Sequence, residues 1–169
     1  MFTNGSAGAP PAADGASPPA VGSVMRPPVT TVELGAHLAA AAYLMKRSGD
    51  TALVVTKPDD TGVPIGILTD ADVTQAVADG RDLERLRVSD VLSGPPVTVA
   101  PDTSIGDALR SMVQGRIHHL PVVTDGLLVG IVDMMYLCRA SIGVDAPWAR
   151  AARAHGTAPA ATHAAPGTA

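Results

Sequence analysis

Between residues 101 and 133 the apolar positions follow two different periods. Ile105, Ala108, Leu109 and Met112 recur at the i, i+3, i+4, i+7 spacing of a helix with one buried face. Pro101-Asp102-Thr103-Ser104, just before them, supplies turn and N-cap chemistry. Leu120-Pro121-Val122-Val123 and Leu128-Val129-Gly130-Ile131-Val132 are short aliphatic runs on either side of a Thr124-Asp125-Gly126 turn, which predicts a hairpin. A short strand is expected at Val97-Thr98-Val99. Earlier in the chain a helical pattern opens near Asp70 and runs through Val73, Ala76 and Val77 until Gly80 stops it.

These elements occur twice. Val21-Gly22-Ser23-Val24-Met25 is echoed by Val88-Ser89-Asp90-Val91-Leu92, and Pro27-Pro28-Val29-Thr30 by Pro95-Pro96-Val97-Thr98. Leu53-Val54-Val55 returns as Pro121-Val122-Val123, and Gly66-Ile67-Leu68 as Gly130-Ile131-Val132. The offset is 67 or 68 residues until the last pair, where a longer first hairpin loop, Lys57 to Gly62, reduces it to 64. The order β-α-β-β-α in each copy predicts an α/β (α+β) fold, a three-stranded sheet with helices on one face. One unit of about 55 residues has a small core, and two packed sheet to sheet with pseudo-twofold symmetry would share one. The boundaries are read as repeats at 21–80 and 81–143. Residues 1–20 and 144–169, rich in Ala, Pro, Gly, Ser and Thr, are expected to be disordered tails. Trp148 is a candidate pin for the second tail, while Arg150 and Arg153 read as solvated charges.

Composition narrows the functional classes. Apolar residues are 46% of the chain and aromatic residues 2%, so the core is aliphatic. A net charge of −4 without a basic stripe argues against nucleic acid as a partner. No apolar run approaches the roughly 20 residues of a membrane span, and no charged and apolar leader opens the chain, so a cytoplasmic protein is expected. The single cysteine, Cys138, excludes an internal disulfide and is read as a plain buried thiol. No metal site is expected: His118 and His119 point to opposite faces if they open a strand, and His37, His155 and His163 read as surface residues. No catalytic motif stands out, and no enzymatic activity is expected.

Leu-Pro-Val-Val before the second hairpin and Gly-Ile-Leu-Thr-Asp-Ala-Asp after the first, at this repeat spacing, resemble the CBS domain. Two copies in tandem form a Bateman module, and the resemblance covers about residues 21 to 140. It implies two clefts at the repeat junction that take adenosine-containing ligands: AMP, ADP or ATP, with S-adenosylmethionine possible, and no obligatory cofactor. The family pattern Gly-hydrophobic-hydrophobic-Thr/Ser-x-x-Asp stands as Gly66 to Asp72. In it Asp72 would hold the ribose hydroxyls and Thr69 the phosphate at a helix N-terminus. The plainer reading is that Thr69 and Asp72 cap the helix, and one residue can serve both roles.

The second copy departs from the pattern, with Asp133 in place of the Thr and Tyr136 in place of the Asp. Two unequal clefts are therefore expected, the one on Asp133 and Tyr136 empty or altered. Arg116 to Val122 resembles the phosphate-contacting segment in the gamma subunit of AMP-activated protein kinase, which maps His118 and His119 onto its His-Arg pair. Replacing Arg by His weakens a phosphate seat at neutral pH. The same alignment puts Pro96 and Val97 against adenine. Ser48-Gly49-Asp50-Thr51 offers no basic residue where the second cleft would need one. The resemblance implies a regulatory adenine-nucleotide sensor, a homodimer of four repeats signalling to a separate protein partner, like small bacterial two-CBS proteins. The alternative is a ligand-free dimerisation or docking module.

Overall fold

The computed structural model describes residues 19–26, 30–57 and 62–144. Except at residues 19, 20 and 144, the readings of the two tails lie outside these, as do Trp148, Arg150, Arg153, His155, His163 and most of the first hairpin loop.

The first repeat contains β1 (Thr31–Glu33), α1 (Leu38–Ser48), β2 (Ala52–Thr56), β3 (Pro64–Thr69) and α2 (Asp70–Ala78). Its sheet has the order β1-β2-β3, with β1 parallel and β3 antiparallel to β2. The second repeat contains α3 (Ile105–Gly115), β4 (His119–Thr124), β5 (Leu127–Asp133) and α4 (Met134–Ser141), and β4 and β5 pair as an antiparallel hairpin. Asp125 and Gly126 close that hairpin with φ of 51° and 79°, the left-handed pair a two-residue turn needs. The Ser104 side chain caps α3 by accepting from the Asp107 N–H, as the sequence predicts.

The expected strand at Val97 to Val99 is not formed. Only Val99 joins the sheet, as an isolated parallel bridge to Val122. Pro95 and Pro96 have no N–H to give, and Val97 and Thr98 stand exposed, so the second sheet has two strands instead of three.

Strand β2 is buried on both faces, and its two residue sets serve different cores. Leu53 and Val55 face the helices of the first repeat with Leu38, Met45 and Leu68. Ala52 and Val54 face Ile131 of β5, the seam where the two sheets meet. A third core holds Ile105, Met112, Leu120 and Leu137 of the second repeat.

The short helical turns that open the repeats are exchanged. Val21 and Val24 pack into the core of the second repeat, while Leu86 and Val88 pack into that of the first. The backbone agrees: the Val21 N–H donates to the Thr103 carbonyl, and the Val88 N–H to that of Ala36. Each exchanged segment then crosses a strand at a glycine. A Cβ on Gly66 would lie 2.5 Å from Leu92 Cδ2, and one on Gly130 2.8 Å from Met25 Sδ. Gly66→Ala is therefore expected to cost about 1–2 kcal/mol of stability through overpacking. Leu92→Ala in the same chain should recover part of that loss, and additive losses in chemical denaturation would exclude the contact as the cause.

Candidate functional site

A cavity of about 670 Å³ opens where the repeats meet. The first repeat contributes Arg26, the loop Gly49 to Ala52, and Asp70 at the start of α2. The second contributes His118 and His119 before and at the start of β4, Ile131 and Asp133 of β5, and the first turn of α4. The space therefore lies between the N-terminal turns of two helices, where backbone N–H groups lack helical partners.

Among the described residues, two contacts between side chains cross it. The Arg26 backbone is tied to β5, its N–H donating to the Ile131 carbonyl (2.9 Å), while its guanidinium donates to the Asp50 carboxylate on the first repeat. The Asp50 side chain is 5% exposed and that of Arg26 34%. Thr51 Oγ1 and His119 Nε2 share a hydrogen bond of 3.0 Å. Ser48 to Thr51 carry no basic residue for this cleft. The basic residue comes instead from 24 positions upstream of Asp50, on the exchanged segment.

Thr69 and Asp72 form a reciprocal capping box: Asp72 Oδ2 accepts from the Thr69 N–H and Oγ1 (both 2.7 Å), and Thr69 Oγ1 accepts from the Asp72 N–H (3.4 Å). Neither residue lines the central cavity, although Asp70 between them does. These bonds fall on Oδ2, leaving Oδ1 available to another donor. Pro96 is half-buried and Val97 exposed, both outside the cavity lining. At the matching place in the second repeat Asp133 caps α4 alone, accepting from the Tyr136 N–H at 2.9 Å. Tyr136 is half-buried and faces the cavity.

Three expectations need correcting. Cys138 is exposed and lines the cavity, because α4 buries the preceding Leu137 and turns the next residue outward. His118 and His119 both line the cavity: β4 begins only at His119, so strand alternation does not set their directions. His37 is the half-buried N-cap of α1, its Nδ1 buried without a hydrogen-bond partner among the described residues. Also among the described residues, no three His, Cys, Asp or Glu converge as a metal site, and no helix is long and apolar enough to cross a membrane.

Burial lowers the pKa of His119 from its ordinary 6.5, with His118 and Arg26 acting in the same direction and Asp133 and Asp70 opposing. The unfolded chain therefore takes up this proton at higher pH than the folded one. Stability is unaffected well above 6.5 and declines as pH falls through that value, until the folded ring also titrates. A melting temperature lower at pH 5.5 than at 7.5 is expected, with part of the drop removed in His119→Gln. An equal drop in both proteins would acquit His119.

The family model of the CBS domain matches residues 21–79 and 88–143. The chain belongs to the CBS-domain family and carries two CBS domains. A protein of Methanopyrus kandleri is 35% identical over 116 residues, 68% of this chain. The match spans 58% of that relative's length. Among solved structures, CBSX2 in complex with AMP is 26% identical with a TM-score of 0.61, over 73% of this chain and 96% of that one. A CBS domain protein of Pyrobaculum aerophilum complexed with AMP has the same fold at a TM-score of 0.68 and 24% identity, over 73% of this chain and 95% of that one.

Proposed function

We propose that this protein is a regulatory module that binds an adenine nucleotide at the junction of its two repeats and passes the signal to a separate protein. The observation that carries this reading is the central cavity, built by both repeats and of a size common to small-molecule sites. The AMP complex of CBSX2 supports the ligand class. In this proposal adenine rests by Pro96 and Val97 and the ribose bonds the free oxygen of Asp72. The phosphate extends past Thr69 and the α2 N-terminus into the cavity, toward His118 and His119. The ligand touches both repeats, so it biases their relative placement, and with it the arrangement of a four-repeat homodimer. The work is binding; no catalytic step is assigned.

Calorimetric titration with AMP, ADP, ATP and S-adenosylmethionine at fixed salt and pH tests this. Binding near one ligand per chain is expected. No heat with any of them would leave the docking role in its place.

A further inference from the structure

The charges around the cavity are unevenly divided. Asp50, Asp70 and Asp133 bring three carboxylates. Among the described residues Arg26 is the one lysine or arginine in the lining, and burial favours the neutral form of His119. An anion entering this space meets acidic groups at both helix starts and a guanidinium at one place only. That guanidinium is well prepared for it. Its backbone is held on β5 from both sides, through Arg26 N–H to Ile131 (2.9 Å) and Ile131 N–H to Arg26 (3.3 Å). Asp50 engages Nη1, and the other N–H groups of the fork have no hydrogen-bond partner among the described residues. A phosphate oxygen beside Asp50 could take two of them in the planar geometry that arginine offers.

We propose that Arg26 seats the phosphate of the bound nucleotide, and that Asp70 and Asp133 restrict the site to a single phosphate. The inference rests on the nucleotide-binding reading above and gives it a ligand preference. A monophosphate brings about two negative charges at neutral pH, and the Arg26 guanidinium is the group in the described lining that meets them. Each further phosphate adds charge that must lie against the acidic walls, in a cleft where screening by water is reduced. Asp133 is the discriminating residue, because it occupies the place that Thr69 holds in the first repeat. The same side chain caps α4, and threonine can also cap a helix, so the charge is removable without losing the cap.

The test is calorimetric titration with adenosine, AMP, ADP and ATP in magnesium-free buffer. Wild-type protein is expected to bind AMP at least tenfold more tightly than adenosine or ATP. Asp133→Thr should shrink the AMP-over-ATP preference at least threefold. Arg26→Met is made together with Asp50→Asn, so that no buried carboxylate is left unpaired. In that double variant AMP should fall to the affinity of adenosine, with adenosine changed less than twofold. Wild-type protein binding ATP as tightly as AMP overturns the preference, and AMP keeping its advantage over adenosine in the double variant overturns the role of Arg26. Either outcome leaves the nucleotide-binding reading standing. Wild-type protein that binds none of the four, adenosine included, overturns both.

Discussion

Arg26→Met alone is expected to destabilise the protein by about 2–3 kcal/mol, less than breaking a fully buried ion pair costs. The cost arises at the residue left behind. The Asp50 side chain is 5% exposed, and Arg26 is its side-chain partner among the described residues. Without the guanidinium, a carboxylate stays out of water with nothing to balance it. The estimate stays below the full buried-pair value because Arg26 itself is about one-third exposed and partly screened. Asp50→Asn in the same chain should return most of the loss. Urea denaturation of the two single variants and the double gives the coupling directly. If Arg26→Met unfolds at the wild-type midpoint, the pair contributes nothing net and the bridge across the cavity is decorative.

Asp72→Ala is expected to act on two observables. Loss of the capping box should cost about 0.5–2 kcal/mol of stability, and loss of the proposed ribose contact about 1.5–3 kcal/mol of AMP binding. Asp72→Glu separates the roles. A longer carboxylate still reaches back to the Thr69 N–H, as the usual capping box does, but carries its free oxygen away from the ribose. Near-normal stability with weakened AMP binding is the expected result for that variant. Normal binding in both variants would make Asp72 a capping residue alone.

How far the sequence could be read depended on the range of each interaction. Helix α3 was legible because Ile105, Ala108, Leu109 and Met112 share one face and Ser104 announces the start, all within a dozen residues. The hairpin of β4 and β5 was legible for the same reason, its turn residues being those with left-handed backbone. The Thr69–Asp72 pair was legible as a constellation, and the structure realises its capping role. What escaped was set by contacts between repeats. Arg26 precedes a Pro-Pro segment and has no periodicity to mark it, and its pairing with Asp50 depends on where the second repeat puts Ile131. Residue type alone makes Cys138 a core residue, and a one-position turn of α4 decides otherwise. The missing strand at Val97 shows the limit of repeat matching, since one parallel bridge at Val99 suffices there.

The exchange of the opening segments means that neither half of the chain owns a complete interior. A fragment ending near residue 80 would keep Val21 and Val24 without the helices that cover them, and would lack Leu86 and Val88 from its own centre. The two halves are thus clasped like hands with interlaced fingers, and should melt in one transition. Such a clasp also limits how a small molecule can act. A molecule that bound in the cleft would be expected to tilt both halves together about their shared seam, not to swing one away from the other.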